Sequence, residues 1–425
     1  MRYRLDAGVQ RFGNVVIGGS PLRLFRLTDA GRGAVDRIAG GDDIAASTLA
    51  DRLLNAGAIH PAPPADTGPF GPADVTVVVP TLGVPAHVPK HAGQVVVVDD
   101  GSQPPVPGAD VRLATNAGPG AARNAGLAEV RTPLVAFVDT DVMLPDGWLA
   151  PLLPHFADER VALVAPRVAS GDGPGLLASY EREHSPLDLG AEPARVRAGS
   201  RVSYVPAAAI VCRVAALDEV GAFDPALRVG EDVDLVWRLD AAGWRCRYEP
   251  ASVVYHAPRG TWRAWWRQRV GYGSSAAALA RRHPGALAPL RMSGWSVAAW
   301  LLGVLGHPLV GGAVGVGSAA ALVPKLPDVP PRVAFGLAAT GNARAGEQIA
   351  STVRRVWWPL VALAALRSKA ARRVLVASAL AARHPIRLAD DIAYSTGIWR
   401  GMWSERTPAP LVPDLTSWPG RNPGA

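Results

Sequence analysis

The sequence predicts an α/β protein with a mainly parallel central sheet, a small winged-helix-like domain before it and an apolar helical region after it. Two observations predict the sheet. Continuous apolar runs have the pattern of strands that are buried on both faces, and helical stretches separate most of them, which favours right-handed crossovers. The strand-like runs are 75–79, 95–98, 134–138 and 161–165, and the helical stretches include 121–130 and 147–156.

The first 62 residues are predicted to form the small domain. Strand-like runs at 14–17 and 22–27 precede a helix that Thr28 caps, and a second apolar-periodic helix at 49–54 ends near Gly57. The first ten residues lack the long apolar core of a signal peptide, so we expect a cytoplasmic protein.

The remaining boundaries follow from changes in composition. Residues 63–73 are rich in proline and glycine and are predicted to be a linker, and the α/β domain is predicted to span 74–257. We predict helices over 258–407 and an irregular tail over 408–425. Within the helical region, the only titratable residue of 294–323 is His307. This stretch could cross a membrane as one helix and attach the chain to the inner face of the cell membrane, or it could be a buried Ala/Gly-rich helical pair.

Composition limits the classes of partner. The chain has 425 residues, of which 19% are charged, and its formal net charge is +8. This excess favours phosphate-bearing substrates or an acidic membrane surface. Nucleic acid is not an expected partner, because zinc-binding spacing and recognition motifs are missing and the arginines are scattered. Cys212 and Cys246 form neither a disulfide framework nor a metal-binding pattern.

Two aspartates follow the second strand-like run. In an open parallel sheet the ligand crevice lies at the carboxyl ends of the strands, so Asp99, Asp100 and Ser102 are predicted to face it. Two carboxylates before a Gly-Ser pair suit hydrogen bonding to a base imide N–H and a ribose hydroxyl. The alternative is a turn with a capping aspartate.

A glycine-rich segment opens the next helix, with the pattern Asn-x-Gly-x-x-x-Ala-Arg-Asn-x-Gly. It places Asn116 and Gly118 before the helix, and Arg123 and Asn124 near its first turn. The N–H groups and the dipole at such a helix start favour phosphate oxygens, and Arg123 is within reach of a phosphate or an acidic partner. An ordinary capped helix is the alternative. The pattern is neither GxGxxG nor a Walker P-loop, which disfavours dinucleotide or ATP binding.

The third cluster is Asp139-Thr140-Asp141. Residues i and i+2 at a strand end point the same way, so the two carboxylates can face one point. Such oxygen ligands suit Mg²⁺ or Mn²⁺ bound to a diphosphate, whose leaving-group charge the metal would neutralise. His256, at the end of another apolar run, is either a third metal ligand or a partly buried structural histidine.

The fourth cluster, Glu231 and Asp232, precedes the helical run 235–239. Asp232 is the candidate base that accepts the proton from an incoming hydroxyl, with Glu231 beside it. We expect the helix dipole to lower the pKa of Asp232 below its unperturbed value of about 3.9, which would make it a weak base at rest. The alternative is that both residues are first-turn acids that only stabilise the helix.

In chain order, Val-Val-Pro-Thr, Val-Asp-Asp-Gly-Ser, the Asn-to-Gly segment, Asp-x-Asp and Gly-Glu-Asp-x-Asp-Leu resemble the motifs of family 2 inverting glycosyltransferases, whose fold is the Rossmann-like GT-A type. The resemblance covers residues 74–256. It implies that Asp139 and Asp141 hold a metal and the diphosphate, and that Asp232 with Glu231 supplies the base. The residues predicted to bind the nucleotide sugar are Thr81, Asp99, Asp100, Ser102, Asn116, Gly118, Arg123, Asn124 and Asp139.

The chain departs from this family after Pro80-Thr81. The family usually has an asparagine and a full helix there, whereas only residues 82–94 precede the next strand in this sequence. The nucleotide pocket is therefore expected to differ on that side.

Residues 1–62 are similar to the small peptide-binding winged-helix domains attached to ribosomal-peptide modification systems. With the shortened core and the Trp/Arg-rich C-terminal region, nearly the whole chain resembles the glycosyltransferases of the mycofactocin system. This implies transfer of β-linked glucose from UDP-glucose to a premycofactocin-like acceptor, a redox cofactor derived from a peptide, and a peptide or maturase partner at the N-terminal domain. Two alternatives stay open: a lipid or cell-envelope polysaccharide acceptor, and a catalytically silent protein that recruits a peptide.

Overall fold

A computed structural model describes residues 2–64, 67–85, 88–89 and 93–415. The chain divides into two compact units, Met1–Trp262 and Arg263–Ala425. The finer domain boundaries that the sequence suggests, at 62, 73, 257 and 407, stay predictions.

The N-terminal segment of the first unit combines short strands with two amphipathic helices. Apolar residues from both layers, such as Val16, Phe25, Val35 and Leu53, form its core. The predicted capping by Thr28 is confirmed, because its hydroxyl accepts a hydrogen bond from the Gly31 N–H at 3.2 Å. The elements are β1 (Tyr3–Leu5), β2 (Gln10–Phe12), β3 (Val15–Gly18), β4 (Arg23–Arg26), α1 (Asp29–Gly40), α2 (Thr48–Ala56) and β5 (Ile59–Pro61).

These strands form two antiparallel sheets. Strands β2, β3 and β4 form one, and β1 pairs with β5 in the other. The strand and helix predictions for this segment are confirmed to within a few residues. The second helix ends at Gly57, whose φ of 69° is left-handed and therefore suits glycine.

The central sheet of the first unit has nine strands within the described residues. Its strands are β6 (Val75–Thr81), β7 (Val95–Asp99), β8 (Val111–Arg112), β9 (Leu134–Val138), β10 (Val142–Met143), β11 (Val161–Ser170), β12 (Ala194–Val196), β13 (Ala209–Arg213) and β14 (Arg245–His256). The helices of this part are α3 (Pro119–Leu127), α4 (Gly175–His184), α5 (Val214–Val220) and α6 (Glu231–Ala241).

The spatial order of the strands is β10-β14-β11-β13-β9-β6-β7-β8, and β12 pairs with β14. Strands β6, β7, β8, β9, β11 and β14 run in one direction, whereas β10, β12 and β13 run antiparallel to their neighbours. The predicted α/β fold class with a mainly parallel sheet is therefore confirmed. All four predicted apolar runs are strands, and most of their side chains, such as Val77 and Ala136, are fully buried.

One predicted helix is wrong. Residues 147–156 form turns followed by a 3₁₀ helix, Leu153–Ala157, rather than an α-helix. Pro151 and Pro154 explain the difference, because proline has no N–H to donate within a helix and its ring clashes with the preceding turn. By contrast, the helix predicted over 121–130 is present as α3, displaced by two or three residues.

The short connection between β6 and β7 is partly described. Residues 82–85, 88–89 and 93–94 of the connection contain no helix, and the other residues of 82–94 lie outside the described ranges.

The second unit is helical throughout its described length. A π-helical stretch, Val353–Trp357, joins two of its helices. Gly273 and Gly397 allow two of the helices to approach closely, since an added Cβ at either position would overlap backbone atoms of the other helix. The helices are α7 (Trp262–Arg282), α8 (Gly294–Val304), α9 (Pro308–Ala320), α10 (Pro331–Thr352), α11 (Trp358–Ala365), α12 (Lys369–Leu380) and α13 (Pro385–Glu405).

Of the two alternatives for 294–323, the buried helical pair is wrong, whereas a membrane-crossing helix stays a prediction. The stretch is a helical pair, α8 and α9, interrupted at Gly306, whose φ is 101°. The pair is not buried, because large side chains such as Trp295 and Leu309 are 64% and 88% exposed. By length and composition alone, Pro308–Lys325 is the one segment of the described chain that could cross a membrane.

Candidate active site

The first acidic cluster closes the loop that follows β7. Asp99 is fully buried, and its carboxylate accepts hydrogen bonds from the Ser102 N–H at 2.8 Å and the Val106 N–H at 3.1 Å. Asp100 accepts from the N–H groups of Ala117 at 2.7 Å and Gly118 at 3.0 Å. These two carboxylates therefore hold the loop after β7 and join it to the start of α3.

The loop after β6 lies against the same region. The Ser102 hydroxyl accepts a hydrogen bond from the Gly83 N–H at 2.7 Å, and the Thr81 hydroxyl donates to the Gly83 carbonyl at 2.7 Å. The structure thus brings Thr81, Asp99, Asp100 and Ser102 together at the carboxyl ends of β6 and β7. Their side chains bond to the protein's own backbone here, and direct contact with a nucleotide stays a prediction.

The motif glycines of α3 have distinct physical roles. Gly118 precedes the helix with a φ of 96°, which favours glycine, and Pro119 follows at the first helical position. Gly126 lies where α3 packs on the sheet, and an added Cβ there would overlap Val78 and lie 2.9 Å from Val98 Cγ2. The segment is therefore shaped so that the N-terminus of α3 sits close to the carboxyl ends of the strands.

Two asparagines fix this helix to the segment before α6. Asn124 donates its amide to the Phe223 carbonyl at 2.7 Å and accepts from the Phe223 N–H at 3.1 Å. The Asn116 side chain accepts a hydrogen bond from Arg228 at 2.8 Å. Asn124 is therefore a structural clamp, whereas Asn116 holds an exposed arginine beside the helix start.

Arg123 is the centre of the site. It is 3% exposed, and it donates to Asp139 Oδ1 at 2.8 Å and to Glu231 Oε1 at 2.7 Å. Its guanidinium also lies 5.3 Å from the centre of the Phe223 ring. Burial lowers the pKa of Arg123, but the two carboxylates outweigh this effect and raise the pKa overall. One buried cation thus joins the second, third and fourth clusters.

The acidic pair at the start of α6 is unusually basic for carboxylates. Burial and the charge of Asp232 raise the pKa of Glu231 to about 7, against the opposing effect of Arg123. Burial also raises the pKa of Asp232, although hydrogen bonds from the N–H groups of Val233 at 2.8 Å and Ala207 at 3.2 Å oppose the shift. The expectation that the helix dipole lowers the pKa of Asp232 is therefore wrong, because desolvation is the larger effect.

Asp141 faces a different set of partners from Asp139. Its carboxylate lies 3.2 Å from His256 Nε2 and 3.2 Å from Arg259 Nη1. Burial raises the pKa of Asp141, but the His256 hydrogen bond and the nearby cations outweigh burial and lower it overall. His256 is thus placed beside one of the two predicted metal-binding aspartates.

The donor chemistry of these residues fits a divalent cation. Asp139 and Asp141 are 34% and 30% exposed, so each carboxylate can accept a ligand from the crevice side, and His256 adds an imidazole. In the described part of the chain, however, no three His, Cys, Asp or Glu side chains converge closely enough to hold a metal by themselves. Asp139 is bonded to Arg123 instead, and Asp141 lies against His256 and Arg259. Such a site would need oxygen ligands from a bound diphosphate.

Sequence reasoning missed two arginines at the site. Arg228 contacts Asn116, and Arg259 contacts Asp141, so both are cations next to predicted diphosphate-binding residues. Neither lies within one of the motifs. The available signal was their position, three residues before Glu231 and three residues after His256, in a chain with a net positive charge.

Comparison with known proteins adds the family. The chain is 40% identical over 451 residues, 95% of each chain, to the pre-mycofactocin glycosyltransferase of Mycobacterium tuberculosis (strain ATCC 25618 / H37Rv). It is 32% identical over 185 residues, 40% of this chain and 53% of the other, to the succinoglycan biosynthesis protein ExoO of Rhizobium meliloti. A solved mannosyltransferase from Pyrobaculum calidifontis, in complex with GDP-Man and Mn²⁺, shares 17% identity at a TM-score of 0.44, covering 80% of this chain and 91% of that one.

The model of the family described as glycosyltransferase like family 2 matches residues 71–271, a range that contains all four clusters. Because the family match includes the whole candidate site, and a 40% identical glycosyltransferase aligns over 95% of both chains, the chain belongs to the family 2 glycosyltransferases.

Proposed function

We propose that this glycosyltransferase moves a hexose from a UDP-sugar to a peptide-derived acceptor with inversion and with the help of a divalent metal. The observation that supports this mechanism is the contact of Arg123 with both Asp139 and Glu231, because it links the residue proposed to bind the diphosphate to the neighbour of the proposed base. An enzyme that cleaves a sugar–diphosphate bond needs these two functions next to each other, since the acceptor attacks the carbon from which the diphosphate leaves.

The diphosphate is proposed to lie between the start of α3 and the third cluster. The helix N-terminus offers N–H groups, and Arg228 and Arg259 add positive charge on either side. Thr81, Asp99, Asp100 and Ser102 support the loops that would surround the nucleoside. Asp139 and Asp141, with His256, would hold the Mg²⁺ or Mn²⁺ ion, which neutralises charge on the departing diphosphate.

Asp232 is proposed as the general base. As the acceptor oxygen bonds to the anomeric carbon, the acceptor proton passes to the Asp232 carboxylate and the sugar–phosphate bond breaks, releasing UDP. The raised pKa of Asp232 makes this transfer easier than for an ordinary aspartate. The Ala207 and Val233 N–H groups hold the carboxylate in place, and Glu231 fixes Arg123.

The proposal for the acceptor is based on the relative with 40% identity, whose name describes it as a pre-mycofactocin glycosyltransferase. We propose a premycofactocin-like acceptor, glucose as the sugar and a β linkage, in the cytoplasm. The N-terminal domain is proposed to bind a peptide or a maturase partner.

The test is turnover by the purified full-length chain with UDP-glucose, Mn²⁺ and a premycofactocin-like acceptor. Mass spectrometry should show acceptor plus hexose in step with UDP release, and NMR of the product should show the inverted anomer. A product with retained configuration would reject the inverting mechanism. Turnover that EDTA does not change would reject the role of the metal. Product formation with other acceptors, but not with the premycofactocin-like one, would reject the proposed acceptor.

The exposed helical pair α8–α9 favours a second candidate. Side chains such as Trp295 and Leu309 face solvent on helices that are otherwise apolar, which is typical of segments that bind lipid. In this candidate the same chemistry acts on a lipid or cell-envelope polysaccharide at a membrane surface. Co-sedimentation with anionic vesicles and transfer of labelled hexose to a lipid extract would support it, whereas a protein that stays in the supernatant and labels no lipid would reject it.

A further inference from the structure

Away from the active site, the first unit contains a cavity of about 340 Å³. Its wall comes from three parts of the chain. Leu54 and Pro61 belong to the N-terminal segment, Pro63 and Pro64 to the following connection, and Pro154 and Val161 to the α/β part. The lining is therefore apolar for much of its extent, and rigid proline rings form a large share of it.

Arg247, on β14, also lines this cavity, and among the described residues it forms no ion pair, although the charge of Asp158 acts on it from beyond ion-pair distance. It is 2% exposed, and none of its three guanidinium nitrogens has a hydrogen-bond partner among the residues that the structure describes. Burial, together with Arg195 and Arg245, lowers the pKa of Arg247 to about 9, so the guanidinium is still charged at neutral pH. A buried cation without a partner is costly, and native proteins seldom keep one without a use.

The neighbouring arginine on the same face of β14 shows the contrast. Arg245, two residues earlier, is equally buried, but it donates to Asp158 at 2.6 Å and to Asp51 at 2.9 Å. Asp51 also pairs with Arg160, so Asp51 and Asp158 already form ion pairs with arginines other than Arg247. The guanidinium of Arg247 can therefore still bind an anionic group that does not belong to this network of ion pairs.

A second buried polar atom lines the same cavity without a partner. His155 Nδ1 is unpaired among the described residues, while His155 Nε2 lies 3.2 Å from Glu249. Two acids also line the cavity, but Asp158 is occupied by Arg245 and Arg160, and Asp43 is exposed. Two residues with unsatisfied buried polar atoms therefore line a cavity whose wall is largely apolar.

We infer that this cavity is a binding site for an organic carboxylate that carries an adjoining apolar group, with Arg247 as the carboxylate-binding residue. The planar guanidinium can donate two parallel hydrogen bonds to a carboxylate, and the proline- and leucine-lined wall suits an apolar substituent rather than a hydrated inorganic anion. Since the wall joins the N-terminal segment to the α/β part, an occupied cavity would hold these segments together. This site is independent of the proposed sugar transfer.

The experiment is calorimetry and thermal unfolding of the full-length chain with three probes at equal ionic strength. N-acetyl-leucine has the carboxylate and the apolar group, N-acetyl-leucinamide lacks only the charge, and inorganic phosphate lacks the apolar group. We expect N-acetyl-leucine to bind and to raise the unfolding temperature progressively, with the logarithm of its concentration above the Kd, whereas the amide and phosphate do neither.

Variants separate a ligand site from a structural arginine. Arg247→Gln should weaken N-acetyl-leucine binding at least about tenfold, because a charge-assisted bidentate contact is lost. Arg160→Gln, at the same network but outside the cavity wall, should bind as the parent does. Arg247→Met should unfold at a higher temperature than the parent without probe, since an unpaired buried charge is removed.

The inference is overturned if the parent does not bind N-acetyl-leucine, if it binds the amide as tightly, or if Arg247→Gln binds N-acetyl-leucine with unchanged affinity. Phosphate binding as tight as that of N-acetyl-leucine, with the same dependence on Arg247, would overturn the assignment to an organic carboxylate. A lower unfolding temperature of Arg247→Met, together with no probe binding by the parent, would show a packing role instead.

Discussion

Arg123 donates to Asp139 Oδ1 at 2.8 Å, so the aspartate that is proposed to hold a metal and a diphosphate is bonded to a buried cation. The same guanidinium bonds to Glu231, next to the proposed base. Asp139 and Glu231 are acidic partners of the kind expected for Arg123, whose other expected partner is a phosphate. Arg123 holds the carboxylates of Asp139 and Glu231 close together, although their mutual repulsion would otherwise separate them.

The first prediction concerns this cation. Arg123→Met should lower kcat/KM about 10- to 100-fold, because charge-assisted hydrogen bonds are worth about 1.5–3 kcal/mol each. Arg131→Met is the matched control, since Arg131 is exposed and donates only to backbone carbonyls of its own loop. Steady-state kinetics of UDP release would measure both variants. Equal activity of the two variants would remove Arg123 from the centre of the site.

The second prediction links the base to pH. Because burial raises the pKa of Asp232, the folded protein binds a proton there more readily than the unfolded chain does. The free energy of unfolding should therefore fall as pH rises through this raised pKa. Asp232→Asn removes the charge, so without substrates the stability of the variant relative to the parent should be greater at pH 8 than at pH 5.

The same variant should lose about 10²- to 10⁴-fold in turnover, the usual contribution of a general base. Denaturant titrations at the two pH values and UDP release at pH 8 provide the readouts. Asp234→Asn is the comparison, since Asp234 pairs with Arg238 within α6 and its loss should destabilise the protein instead. A variant Asp232→Asn with parental turnover would exclude Asp232 as the base.

The sheet was predictable because each of its core strands is an apolar run buried on both faces. The reversed strands were not, since β13 and β11 look alike in sequence and only their connections set their direction. Residues 147–156 show a second limit: their apolar spacing suits a helix, but Pro151 and Pro154 remove the hydrogen bonds that would continue one.

The sequence motifs identify the acidic residues that the structure brings to the candidate site, but they do not show which cation each carboxylate contacts. Asp139 and Asp141 were expected to face one point, whereas Arg123 bonds to Asp139 and His256 contacts Asp141. The pKa direction of Asp232 was also missed, because helix position is visible in a sequence and the degree of burial is not. Arg228 and Arg259 lie outside the motifs, so only tertiary contacts reveal them.

The third prediction concerns packing of α3 on the sheet. Gly126→Ala should destabilise the protein by about 1–3 kcal/mol, because the added Cβ overlaps Val78 and approaches Val98 in a filled core. Gly33→Ala, in the exposed middle of α1 with no atom within 4 Å of the added Cβ, should stabilise by about 0.5–1 kcal/mol. Denaturant unfolding curves would compare the two. Unchanged stability of Gly126→Ala would show that the sheet can shift to accept the methyl group.

The fourth prediction tests the metal through its two carboxylates. Asp139→Asn and Asp141→Asn keep the shape of each side chain but remove its charge, so the Mn²⁺ concentration for half-maximal UDP release should rise about tenfold or more in each. Asp146→Asn, an exposed position in the turn that follows, should leave this concentration unchanged. Asp141→Asn should show the weaker effect if His256 remains as a ligand, and His256→Gln in that background should then raise the concentration further. Parental Mn²⁺ dependence in both single variants would rule out the Asp-x-Asp cluster as the metal site, because each variant lacks one of the two charges that are proposed to coordinate the ion.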